Sequence, residues 1–140
     1  MSKVAIVFWS ATGNTETMAN CIAEGAGANG TIVPCAEMTP AKLAEFDVVA
    51  FGCPAMGAEQ LEESEFEPMF AALEGSLNGK KIALFGSYGW GDGQWMRDWA
   101  QRAQDDGAQL FSEEGLICNE TPDDDVQAAF RKLGADLAAW

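Results

Sequence analysis

The sequence predicts an α/β fold, a doubly wound five-stranded parallel sheet with strand order 2-1-3-4-5 and helices on both faces. Three observations carry this. Short apolar runs recur along the 140 residues, and they are continuous rather than alternating, as strands covered on both faces read. Segments with helical periodicity separate them, giving strand–helix five times over. Irregular, loop-like stretches follow three of the apolar runs, two of them rich in Gly, Ser, Thr or Asn, at the carboxyl ends of strands, where such sheets bind ligands.

The strongest strand signals are Val4-Ala5-Ile6-Val7-Phe8-Trp9, Val48-Val49-Ala50-Phe51 and Ile82-Ala83-Leu84-Phe85. Thr31 to Cys35 and Gln109 to Cys118 supply weaker ones. Between the first two, Met18, Ala19, Ile22 and Ala26 share a helix face, ended by Gly25, Gly27 and Gly30. Residues 40 to 45 have room for a short helix. Ser64 with Glu67 reads as a capping box before the stripe Phe66, Phe70, Leu73 and Leu77. Trp95, Trp99 and Ala103 recur every fourth residue and belong to a helix face or the core. Thr121-Pro122 followed by three aspartates reads as cap, proline at the first helical position and acids facing the dipole. Phe130, Leu133 and Leu137 then form a buried stripe. No repeat, linker or low-complexity tract interrupts the chain, so residues 1–140 are expected to form one domain.

Composition narrows the function. Apolar residues make up 48% of the chain, and 22 acids stand against 8 bases for a formal charge of −14. Such a surface repels nucleic acid and anionic membranes and attracts basic protein patches. Cys21, Cys35, Cys53 and Cys118 form no C-x-x-C pair and there is no histidine, so metal-site spacing is absent. Cys53 and Cys118 lie in or beside apolar runs, where packing is the expected role. The start of the sequence lacks a signal peptide's apolar region, and nothing suggests a disulfide framework. Together these point to a cytoplasmic protein.

Three loops carry the chemistry. Ser10-Ala11-Thr12-Gly13-Asn14-Thr15 follows the first strand and opens the first helix. Its three hydroxyls, one amide and backbone N–H groups at a helix N-terminus make a phosphate cradle. It has no base and lacks the Walker pattern, so neutral donors must hold the whole anion. The second loop is Pro54-Ala55-Met56-Gly57-Ala58-Glu59, and the third is Ser87-Tyr88-Gly89-Trp90-Gly91-Asp92-Gly93. A tryptophan between glycines in a polar loop suits a ligand platform. Met56 and Trp90 from neighbouring strand ends are placed to sandwich a flat aromatic ring. A cradle beside a sandwich implies a flat heterocycle with one phosphate. FMN fits; a purine nucleotide matches the shape as well, although the acids of the second loop disfavour ATP.

With these loops in place the chain resembles the short-chain flavodoxins of anaerobic bacteria, over its whole length. Residues 10 to 15 are similar to that family's phosphate loop, and 53 to 67 and 80 to 98 read almost continuously like its members. The stretch from Gln109 to Cys118 has no room for the insertion that long-chain members carry. The resemblance implies a flavodoxin-like fold, non-covalent FMN, and a low-potential one-electron carrier cycling between semiquinone and hydroquinone, not an enzyme. Ser10, Thr12, Asn14, Thr15 and Ser87 are then expected to bind phosphate, with Ala11 and Gly13 in the same loop. Met56 and Trp90 are expected on the two ring faces, and Glu59 at flavin N3. Gly89 with Tyr88, Gly91 and Asp92 serves the pyrimidine edge, with Pro54, Ala55, Ala58 and Trp95 nearby. Asn119 and Glu120 match a segment near the flavin. The Gly57 carbonyl is expected to swing toward N5 on reduction, through a II′-like turn spanning Met56 to Glu59. Pro54 replaces a serine common in relatives and removes a donor; Ala58 replaces an aspartate or asparagine.

Charge then sets the potential. One carboxylate at about 8 Å from the reduced ring costs roughly 2 kcal/mol at an effective dielectric near 20, on the order of 90 mV downward for one electron. The implied partners are redox enzymes with basic docking faces, of oxidoreductase, hydrogenase or nitrogenase type, met by a monomer. The alternative is a flavodoxin-fold FMN-dependent quinone reductase, which needs a substrate pocket and longer loops. A receiver-type signalling domain lacks its acidic pair and lysine here.

Overall fold

The computed structural model describes residues 2–10, 13–56, 60–89, 93–112 and 115–140. Parallel strands β1 (Val4–Phe8), β2 (Gly30–Ile32), β3 (Val48–Gly52), β4 (Lys81–Tyr88) and β5 (Gln109–Leu110) lie in the order β2-β1-β3-β4-β5. A sixth strand, β6 (Leu116–Asn119), continues beside β4. The expected topology is therefore present, with the fifth strand in two pieces. β5 pairs with Lys81 and Ile82, and β6 with Phe85 to Tyr88. Ser112 and Gly115 lie between the pieces, and glycine is a poor strand former. A β-carbon on Gly115 would overlap the sulfur of Met96.

β2 is shorter than the expected Thr31–Cys35. Pro34 has no N–H for the ladder, and a 3₁₀ turn covers Cys35–Glu37. The helices are α1 (Asn14–Ala26), α2 (Pro40–Leu43), α3 (Phe66–Leu73), α4 (Gln94–Asp105) and α5 (Asp124–Ala139). One core lies under α1 and α5 and contains Ile6, Met18, Ile22, Phe85, Phe130 and Leu137. The other lies under α3 and α4, where Phe66 and Phe70 meet the Trp99 ring edge-on at 5.4 and 5.7 Å. Trp95 and Trp99 are buried there as expected, Cys53 lies in this core, and Cys118 lies in the other.

Two helix starts differ from the sequence pattern. Ser64 and Glu67 form no capping box. The buried carboxylate of Glu62 instead accepts from the backbone N–H of Ser64, Glu65 and Phe66 at 2.8, 2.7 and 3.0 Å, and from the Ser64 hydroxyl. Glu67 is taken by Arg102 in a two-pronged pair, both contacts 2.7 Å. A charged fork outcompetes a lone backbone amide for that carboxylate. At α5 the cap is Asp123, accepting from Val126 N–H at 2.9 Å. Thr121 and Pro122 precede the helix rather than start it. The first and last helices touch through backbone: a β-carbon on Gly134 would overlap the Ile22 carbonyl oxygen, and one on Gly25 that of Arg131.

Candidate functional site

Parallel pairing puts the exits of β1, β3 and β4 side by side, and the three loops converge there. At the β1 exit, Gly13 takes φ +95, a left-handed conformation open to glycine without steric cost. It turns the chain into α1. Its N–H donates to Ser10 Oγ at 3.1 Å, and its carbonyl accepts from Thr17 N–H and Oγ1 at 2.9 and 3.0 Å. Among the described residues no side chain caps α1. The first N–H groups of that helix therefore remain as donors at its positive end.

Thr15 is 1% exposed and Ser87 5%. Their hydroxyl oxygens lie 3.2 Å apart across 72 residues of sequence. This pair joins the first loop to the third. The second loop is tied in by backbone: Cys53 N–H donates to Phe85 O at 3.1 Å and Ala55 N–H to Ser87 O at 2.9 Å. Met56 and Gln60 exchange two backbone bonds of 2.9 and 3.0 Å. The loop thus closes on Gln60, while the expected Met56–Glu59 turn falls on residues 57–59, outside the described residues. The Cys53 thiol is pushed up to about 12 by burial, against the opposing hydrogen bond from Glu62 N–H, so it stays protonated and packs.

At the β4 exit the Tyr88 ring rests on Trp95, centroids 5.6 Å apart, and the Trp95 indole N–H donates to Cys53 O at 3.3 Å. Tyr88 O accepts from Glu120 N–H at 2.7 Å and from the Asn119 amide at 3.4 Å. Glu120 has φ +58, the sole left-handed non-glycine residue among those described. Such a conformation persists where surrounding contacts impose it, and the bond to Tyr88 is one of them.

These loops enclose a cleft of about 210 Å³ lined by Ser10, Asn14, Thr15, Pro54, Ala55, Met56, Ser87, Tyr88, Gly89 and Glu120. Gly13 turns the chain into α1 and does not line the cleft. Trp95 stands buried behind Tyr88 rather than lining the cleft, and Asn119 supports the rim. Ala11, Thr12, Gly57, Ala58, Glu59, Trp90, Gly91 and Asp92 lie outside the described residues. Glu120, paired with Asn119 in the resemblance, lines the cleft itself. Among the described residues no lysine or arginine lines it, and the Gly89 α-carbon faces open space.

The donor set can be tested against FMN. Buried neutral hydroxyls, an uncapped helix start and the absence of bases suit one phosphate held by hydrogen bonds. The slot between residues 54–56 and 87–89 suits a flat ring, with apolar Met56 and Ala55 on one wall. The residues fit.

The fold and cleft define a doubly wound domain that takes a mononucleotide at its topological switch point. The Flavodoxin family model matches residues 6–132. The chain is 50% identical to the flavodoxin of Megasphaera elsdenii, covering 86% of this chain and 88% of that one. It is 46% identical to that of Clostridium beijerinckii, covering 87% and 90%. The solution structure of two-electron reduced Megasphaera elsdenii flavodoxin superposes with a TM-score of 0.87 at 46% identity, over 98% of this chain and 99% of that one. The chain belongs to the flavodoxin family, whose members are FMN-binding electron-transfer proteins rather than enzymes. Among the described residues no helix is long and apolar enough to cross a membrane.

Proposed function

We propose that this protein carries single electrons at low potential between redox enzymes, its non-covalently held FMN alternating between the one-electron- and two-electron-reduced levels. Residues 1–140 serve as one FMN-binding domain, acting as a cytoplasmic monomer. FMN supplies the redox chemistry when bound; the chain supplies affinity, potential and access. Ser10, Asn14, Thr15 and Ser87, with Thr12 and the first N–H groups of α1, are assigned to the phosphate. Met56 and Trp90 are assigned to the ring faces and Glu59 to the pyrimidine edge. The observation that carries this reading is the buried Thr15–Ser87 hydroxyl pair at the floor of a cleft without bases.

The low potential follows from what surrounds the cleft. Glu120 lines it and, among the described residues, no lysine or arginine does, so each added negative charge in the cleft meets the Glu120 carboxylate. Potentiometric titration of the FMN-loaded protein tests the reading. Two separated one-electron steps, the second strongly negative, are expected. A single two-electron step, or turnover of a nicotinamide with a quinone, would overturn it.

A further inference from the structure

A groove of about 640 Å³ opens beside the cofactor cleft. Its walls are Phe8 from β1, Ile32 and Pro34 from the β2 exit, and Pro68 and Met69 from α3. Among the described residues one charged side chain, the exposed carboxylate of Glu65, lines it, and Glu37 stands on the adjoining 3₁₀ turn. Ile32 is 40% exposed, one of two large apolar side chains so exposed among the described residues. Phe8 lines this groove and Ser10, two residues on, lines the cofactor cleft. The two openings flank the exit of one strand.

We propose that this groove is a docking site for the electron-transfer partner, taking an apolar side chain that the partner presents next to a lysine or arginine. The proposal rests on the carrier reading above. Three features select this occupant. The walls are apolar, so an aliphatic or aromatic side chain gains by entering. The charged groups at the rim are carboxylates with no base lining the groove, so a neighbouring cation is attracted and an acidic partner repelled. The net charge of −14 and the carboxylates Glu37 and Glu65 oppose a second copy of this chain. A partner close enough to exchange electrons with the cleft also covers the surface beside it. The groove thus adds an apolar anchor to the electrostatic attraction.

The test uses FMN-loaded protein and a purified 2-oxoacid oxidoreductase as electron donor. Ile32→Gln and Glu65→Lys change exposed side chains outside both cores, and dithionite reduction of each variant checks the FMN site. Ile32→Gln is expected to raise KM about fivefold, a typical loss for one anchoring side chain, with kcat within about twofold. Glu65→Lys is expected to raise KM at low salt, with the difference closing at high salt. Wild-type KM for both variants would overturn the groove while leaving the carrier reading intact. A wild-type protein that accepts no electrons from the enzyme would remove the carrier reading, and the groove proposal with it. A concentration-dependent dimer abolished by Ile32→Gln, with KM unchanged, would give the groove to a second copy and overturn the proposal.

Discussion

Thr15 and Ser87 show how much a site depends on pairing that local sequence does not contain. Each hydroxyl is buried, and the two pair with each other at 3.2 Å. Thr15→Val keeps the shape, removes one hydroxyl and leaves Ser87 Oγ without it. FMN affinity is expected to fall by about 1.5–3 kcal/mol, the range for hydrogen bonds to a charged group; fluorescence titration with FMN checks this, and an unchanged Kd would remove Thr15 from the phosphate site. Gly57 bears on potential instead. Gly57→Val is expected to shift the first reduction couple by more than about 30 mV, roughly 0.7 kcal/mol for one electron, while oxidised FMN binds nearly as before. A smaller shift in redox titration would mean that backbone freedom at Gly57 does not tune this couple. The hydroxyl-rich loop was legible because its signal is local: donors in a row between an apolar run and a helix. The Thr15–Ser87 contact and the positive φ of Glu120 were not, since both arise from strands that meet only in the folded sheet.

Helix α3 is anchored from outside its own span. Burial alone would raise the Glu62 carboxyl, but the Ser64 hydroxyl and the N–H groups of Phe66, Glu65 and Ser64 outweigh it and hold the group down at about 2. Its unfolded value is near 4.5, so the folded state gains stability above that pH and loses it as pH falls from about 5 toward 2. The full difference is on the order of 3 kcal/mol. Glu62→Gln should therefore destabilise the protein by about 1–3 kcal/mol at pH 7, with a smaller penalty at pH 3. Urea unfolding at the two pH values measures it, and an equal penalty at both would show that charge is not what caps α3. The sequence pattern pointed to Ser64 and Glu67 because it weighs spacing alone. Arg102, 35 residues away from Glu67, competes for that carboxylate, and spacing cannot register a competitor from another helix. Glu62 is buried, and its carboxylate serves the start of α3. The long apolar stripes of α1, α3 and α5 were legible throughout, because burial on a helix face repeats within the element.

Across the whole molecule, acids outnumber bases beyond the carboxyl ends of the strands, whereas ahead of the amino ends lysines mix with Glu45, Asp47, Asp105 and Asp106. Lys3, Lys80 and Lys81 lie at the amino ends of β1 and β4, and the Lys80 ammonium donates to the carbonyls of Leu43 and Phe46 just ahead of β3. Glu37, Glu62, Glu63, Glu65, Glu120 and Asp123 follow the carboxyl ends of β2, β3 and β6. A basic partner surface therefore meets the cofactor end first. Electron transfer to such a partner is expected to slow as ionic strength rises from low to physiological values, followed by stopped-flow absorbance; flat rates would argue against electrostatic docking. The contact of Gly25 and Gly134 with the opposite helix has a further consequence, in the order of events during synthesis. The helix that opens the phosphate cradle is synthesised before the rest of the site, yet part of the surface it rests on is α5. Until residues beyond Asp123 leave the ribosome, α1 has strands beneath it and nothing beside it. The cradle is then the first part of the site to be written and the last to be fixed, so a nascent chain arrested before α5 should fail to retain FMN.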